Sequence, residues 1–222
     1  KGIEQRNPDP QDPELDLHAN TNGSKCVVDG KGKLIMEGSN PRLYVNSDGK
    51  KWQNVEMTVY FKCLRADPRG SISVFSRLAA RSEHQLEYKC GGSGRTMGAF
   101  EIKGNGVVQL RKEWFHDSYA PNIEASIKSP ARGVRWGQKF VLRNKGDAIL
   151  SECYIDKTGN NSWEKVIERL DSGQPAPTST DLCQKMPSIT SIWLGPATSC
   201  YLRTDGNVVE FDSFSVREVA PA

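Results

Sequence analysis

Between Asn54 and Leu64 the chain reads N-V-E-M-T-V-Y-F-K-C-L, apolar at every second position over the length of a long strand. Period-two alternation puts one set of side chains on each face, so this stretch predicts a strand with one face buried and the other solvated. Shorter runs of the same kind follow one another along the chain: Lys33 to Glu37, Arg42 to Asn46, Ser71 to Ala80, Ala99 to Lys103, Val107 to Phe115, Lys139 to Arg143, Ala148 to Asp156, Ile189 to Leu194, Cys200 to Arg203 and Val208 to Val219. Gly, Pro, Asn and Ser clusters such as Gly38-Ser-Asn-Pro and Ser47-Asp-Gly separate them. Many short strands with turn signals at roughly eight-to-twelve-residue spacing predict an antiparallel sandwich or barrel. One segment is ambiguous: Trp163 to Leu170 reads either as a short helix or as a strand after a hairpin loop.

The length of 222 residues suits one all-β sandwich domain. Residues 1–25, with Pro8, Pro10 and Pro13 and little apolar content, are expected as an extended arm in which His18 has no role, and residues 26–222 as the domain. No run reaches the ~20 apolar residues of a membrane span. The chain opens at Lys1, so an export signal was either removed or never present. Six cysteines, Cys26, Cys63, Cys90, Cys153, Cys183 and Cys200, are widely spread and form no C-x-x-C. They are compatible with disulfides and a secreted, extracellular protein, although Cys63 and Cys153 stand in apolar runs that would equally hold buried thiols. Asn22-Gly-Ser and Asn160-Asn-Ser match glycosylation sequons.

A net charge of +3 is too small to argue for nucleic acid. Its distribution is uneven: Lys128, Arg132, Arg135, Lys139, Arg143 and Lys145 lie between 125 and 146 with no acid among them. That run reads as a solvated basic surface or as a face for an anionic polysaccharide.

The stretch from Arg77 to Tyr119 concentrates the chemistry. It holds His84 and His116, two of three histidines, beside Arg77, Arg81, Arg95, Arg111, Lys112, Glu83, Glu113 and Tyr119. Strand periodicity turns Ile72, Val74, Leu78 and Ala80 to one side and Phe75, Arg77, Arg81 and Glu83 to the other; Val108 and Leu110 point inward, Gln109, Arg111 and Glu113 outward. A polar floor of this composition suits β-elimination of a uronate polymer. A cation must neutralise the carboxylate before its neighbouring proton becomes acidic enough to abstract, and a neutral His or a Tyr can then serve as base or acid. On that reading Arg81 and Arg203 neutralise, His84 or His116 is the base and Tyr119 the acid. Arg77, Glu83, Arg111, Lys112, Glu113, Trp114 and Arg203 contact the substrate. The plainer reading is a charged sheet face held by surface ion pairs. The five tryptophans read mostly as core or rim packing, while Trp114 and Trp136, each beside basic residues, could instead stack on sugar rings.

Other chemistries lack their signatures. The strand-borne E-x-D-x-x-E of sandwich glucanases and a G-x-S-x-G elbow are missing. The glycines at 91–94 and 104–106 have no strand-to-helix phosphate motif around them. Three scattered histidines do not make a zinc site. No cofactor or metal is expected, save that a structural calcium held by loop carbonyls leaves no sequence trace.

Trp52 to Lys62 (W-Q-N-V-E-M-T-V-Y-F-K) and Val208 to Glu218 (V-V-E-F-D-S-F-S-V-R-E), with the overall pattern of strands, resemble the concanavalin-like jelly rolls. That superfamily includes lectins, laminarinase-type hydrolases and alginate and glucuronan lyases. Arg81-Ser82-Glu83 resembles the Arg-Ser/Thr-Glu strand motif of alginate lyases, whose Arg meets the substrate carboxylate. No Gln-Ile/Val-His follows it, Tyr60-Phe61-Lys62 falls far too early for the family's late Tyr-Phe-Lys motif, and Cys200-Tyr201-Leu202-Arg203 stands near that motif's place without its glycine and second tyrosine. The resemblance implies an all-β jelly roll handling an acidic polysaccharide, by β-elimination or, as the alternative, by lectin-like binding or cell-surface interaction without chemistry.

Overall fold

The computed structural model describes residues 15–18, 24–39, 41–46, 52–78, 96–115, 118–173 and 199–222. All regular structure among them is strand: β1 (Leu15–His18), β2 (Lys25–Val28), β3 (Lys33–Glu37), β4 (Arg42–Asn46), β5 (Val55–Arg65), β6 (Ser71–Leu78), β7 (Thr96–Lys103), β8 (Val107–Phe115), β9 (Ser118–Tyr119), β10 (Ile123–Ser126), β11 (Arg135–Lys145), β12 (Ala148–Asp156), β13 (Glu164–Asp171), β14 (Ser199–Asp205) and β15 (Val208–Glu218). The ambiguous segment is strand β13, paired in antiparallel register with β12 from Glu164 opposite Ile155 to Asp171 opposite Ile149. A β-bulge between Cys153 and Tyr154 interrupts that register, which is why its sequence does not alternate cleanly.

Two antiparallel sheets face each other. The first runs β1-β4-β14-β6-β7-β8-β10, with β9 also paired to β8; the second runs β13-β12-β11-β5-β15-β3-β2. Strands β6, β7 and β8 form a meander in the first sheet and β11, β12 and β13 one in the second, while β14 and β15, joined by a turn, enter different sheets. This is the two-sheet jelly roll that the strand pattern predicts.

The core lies where the inner faces meet. From β5 come Val55, Met57, Val59 and Phe61, all fully buried, and from β11 Trp136, Phe140 and Leu142. The first sheet contributes Ile72, Phe100, Ile102, Val108, Leu110 and Leu202. Trp136, open from sequence to either core packing or sugar stacking, is one of these core residues: even-numbered positions of β11 face inward, and its indole is buried.

Two polar features cross the interior. Gln138 is fully buried, and its amide donates to the carbonyl of Phe100 at 2.8 Å, so a β11 side chain is tied to a β7 backbone group of the opposite sheet. Lys112 on β8 reaches Asp171 on β13, Nζ to Oδ2 at 2.6 Å, with only 5% and 7% of the two side chains exposed. Lys112 is therefore an interior pillar between the sheets, not a substrate contact, because it follows Val108 and Leu110 on the inward side of β8.

The described cysteines are all buried, and no disulfide joins any two of them. Cys63 and Cys153 are free thiols. Burial pushes the Cys26 thiol up to about 12 and that of Cys153 well above its ordinary value, which keeps them protonated and unreactive. Cys90 and Cys183 lie outside the described residues.

Candidate site on the outer face of the first sheet

Residues directly opposite one another on antiparallel strands share a face. One such row crosses the first sheet from β4 to β10: Arg42, Arg203, Ser73, Glu101, Gln109 and Glu124. At ~4.8 Å between strands the row is about 24 Å long. A second row beside it places Tyr201 opposite Phe75, Phe75 opposite Ala99, and Ala99 opposite Arg111. Both arise from the same rule: Ile72, Phe100, Val108, Leu110, Cys200 and Leu202 take the inner positions, so their chain neighbours must face outward.

The side chains of these rows are held by planar, charge-assisted contacts. Arg111 Nη1 donates to Glu101 Oε1 at 2.7 Å. Glu101 Oε2 lies 3.0 Å from Lys103 Nζ, yet receives no aligned hydrogen bond. Gln109 Nε2 donates to Glu124 Oε1 at 2.7 Å. Arg203 Nε donates to Asp205 Oδ1 at 3.0 Å, and Asp205 also accepts from Ser71 Oγ at 3.2 Å. Arg42 extends toward the ring of Tyr201, its guanidinium carbon 5.7 Å from the centroid. Glu101 is the pivot: 1% exposed although on an outward position, it carries a carboxylate between two cations with one acceptor still unfilled. Such a group is fixed in direction and has an oxygen that can still accept a hydrogen bond.

The structure brings together only some of the residues singled out from sequence. Arg111 and Arg203 belong to the two rows, with β6 and β7 between their strands. Arg77 is on β6, Glu113 and Trp114 on β8 and Tyr119 on β9, opposite Glu113; all are thus strands of this sheet. Arg81, Glu83, His84 and His116 lie outside the described residues. Sequence reasoning missed Glu101, Gln109 as a binding group, Glu124 and Asp205. The signal was available for Glu101, at an outward position between Phe100 and Ile102, and for Asp205, two residues beyond Arg203 and so on its face. Among the described residues, no three His, Cys, Asp or Glu side chains gather as a metal site, and no helix is long and apolar enough to cross a membrane.

The basic run of 125–146 does not form a single patch. On β11, Arg135 is paired with Asp212 (Nη2 to Oδ1 2.6 Å, Nε to Oδ2 3.1 Å) and Arg143 with Glu152 (2.7 Å). Exposed Arg132 precedes that eleven-residue strand and exposed Lys145 is its last residue, so about 33 Å of strand lies between their ends at ~3.3 Å per residue.

No family model and no curated protein matches the sequence. Solved structures do match its fold. A Bacillus subtilis protein of unknown function with a galectin-like fold aligns over 100% of this chain and 99% of its own, at a TM-score of 0.54 and 13% identity. The exoplasmic/lumenal domain of VIP36, in a Ca2+/Man3GlcNAc-bound form, aligns over 95% of this chain and 85% of its own, with a TM-score of 0.54 and 10% identity. The binding domain of botulinum neurotoxin DC, in complex with SialylT, aligns over 93% of this chain at a TM-score of 0.50 and 8% identity. This chain spans 43% of that toxin chain and 17% of a sialidase. The fold is thus a two-sheet, all-β jelly roll, similar in architecture to that galectin-like structure.

Proposed function

We propose that this is a glycan-binding, lectin-like domain that holds an oligosaccharide along the outer face of the first sheet without cleaving it. The observation that carries this reading is the Glu101 carboxylate, locked by Arg111 and Lys103 with an acceptor unfilled, at the centre of a row of hydrogen-bonding side chains. Sugars present vicinal hydroxyls that both donate and accept. A carboxylate beside a guanidinium meets such a pair with directional, charge-assisted bonds that need no reorganisation. The VIP36 and toxin structures, which share the fold, were solved with a mannose glycan and with SialylT respectively, and this supports a saccharide as the ligand class.

The guanidinium groups of Arg111 and Arg203 extend the reading to acidic glycans, since each could share a ligand carboxylate. Binding of carbohydrate outside the cell belongs to the same proposal. β-Elimination is not part of it, since its proton-transfer roles rest on His84 and His116, outside the described residues.

The test is a glycan array followed by calorimetry on the best ligand, with ultraviolet absorbance monitored for an unsaturated uronate product. Saturable binding with no absorbance change, weakened about tenfold or more by Glu101→Gln, is the expected outcome; a tenfold loss corresponds to about 1.4 kcal/mol. Binding unaffected by Glu101→Gln and Arg111→Ala would remove the site from this face, and growth of absorbance would make the protein a lyase.

A further inference from the structure

The outer face of the second sheet is built differently. Gly137 on β11 has no side chain, and a Cβ there would come within 2.6 Å of the Trp163 ring and 3.0 Å of Tyr60. The indole of Trp163 therefore lies over the strand, tilted 51° to the Tyr60 ring with centroids 5.7 Å apart. Its position is fixed from the loop that carries it. Asp156, fully buried, accepts from the amides of Thr158, Gly159 and Asn161 and from the Thr158 hydroxyl. Asn161, at φ 73°, accepts in turn from the Trp163 Nε1–H at 2.6 Å. A part-exposed ring is thus held immobile, with its one polar atom already satisfied.

Lys139 rests on this shelf. Its Nζ is 4.3 Å from the Trp163 centroid and 6.0 Å from that of Tyr154. The carboxylates around it are committed: Asp156 to the loop, Asp212 to Arg135, and Glu152 to Arg143, Lys165 and the Tyr154 hydroxyl. Among the described residues, Lys139 has ring faces beside it and no carboxylate partner.

We propose that this shelf is a second saccharide site, separate from the first face, that takes a uronate-containing oligosaccharide: Trp163 receives the apolar face of the sugar ring and Lys139 its carboxylate. Stacking on a fixed indole costs little conformational entropy. The uncompensated ammonium selects the acidic ring over the neutral one, since a carboxylate there completes a charge pair that the protein leaves open. Tyr60, Thr58 and Tyr154 flank the position across β5 and β12 and supply further hydroxyls.

The test is a titration of 15N-labelled protein followed by NMR through the Trp163 indole N–H, assigned with Trp163→Phe. The probes are β-linked tetraglucuronate and its neutral counterpart cellotetraose. A saturable shift of the Trp163 signal is expected with the acidic probe, at least tenfold weaker with the neutral one, and Lys139→Met should erase that difference while the backbone spectrum stays folded. Absence of a Trp163 shift at millimolar probe, equal response to both probes, or an unchanged response in Lys139→Met each overturns the proposal. Backbone amides of β8 report the first face in the same titration, so failure of one site is read separately from failure of the other.

Discussion

Both outer faces tie neighbouring strands through polar side chains, but around the two candidate sites those side chains are used differently. On the first sheet they join neighbouring strands to each other, Arg111 to Glu101 across β8 and β7, Gln109 to Glu124 across β8 and β10. On the second sheet, around Trp163, they fasten a loop down onto a strand, with Asp156 gathering four hydrogen bonds from residues 158–161. The first arrangement ties one strand to the next along a row of donors and acceptors whose centre, at Ser73 and Glu101, is buried; the second raises an aromatic shelf. A single scaffold can thus offer two chemically distinct surfaces, because the requirement to bury one face of each strand says nothing about what the other face carries.

The largest effect is expected where the faces are coupled. Lys112→Met leaves Asp171 buried without its partner and should destabilise the protein by about 3–5 kcal/mol in urea denaturation. The double change Lys112→Met with Asp171→Leu should recover most of that loss. If the single change is harmless, the two sheets are not held by this pair. Asp156→Ala comes next. It strips the loop of its acceptor and should cost about 2–4 kcal/mol and free the Trp163 indole, read by loss of its near-ultraviolet circular dichroism, while leaving binding at the first face intact.

Acid should separate the faces further. Burial raises the Asp156 carboxyl, but hydrogen bonds from Thr158, Asn161 and Gly159 outweigh it and hold the group below its ordinary 3.8; Asp212 is held below the same value chiefly by Arg135. For Glu152, burial is outweighed by Tyr154, Lys165 and Arg143, and the group sits below 4.5. Groups depressed on folding contribute stability that is full above their unfolded values and is lost as pH falls through the folded ones. The second face should therefore loosen below about pH 4, visible as broadening of the Trp163 signal. The smallest effect is expected from Arg217→Ala: its pair with Glu56, at 2.8 Å, has the arginine 65% exposed, so a loss under about 1 kcal/mol should appear in thermal unfolding.

Much of the fold was legible because burial enforces period two. The inner set Val55, Met57, Val59, Phe61 and Cys63 stands in the sequence as it stands in the core. The site was less legible, and Lys112 shows why. Its parity with Val108 and Leu110 already placed it inward, but an ammonium reads as solvent-facing unless its partner is known, and Asp171 is 59 residues away. The basic run misled for the same reason, since Asp212 and Glu152 are brought to Arg135 and Arg143 by strand pairing alone. The Asp156-to-Trp163 loop was closer to reach: an Asp followed at short range by Thr, Gly and Asn is a turn signature with a known mechanism. What no local rule supplied was that Gly137, on another strand, clears the space for the indole.

Gln138 bears on how the halves of the sandwich find their alignment. Contacts between oily surfaces are nearly indifferent to a shift of one surface along the other, whereas an amide that meets the Phe100 carbonyl at 2.8 Å works at a single offset. Leucine at 138 would keep the volume and lose the index mark, giving a protein that stays compact while its two layers explore neighbouring settings. Together with the Lys112–Asp171 pair, that hydrogen bond calibrates from inside the molecule which rings and charges stand side by side on each outer surface.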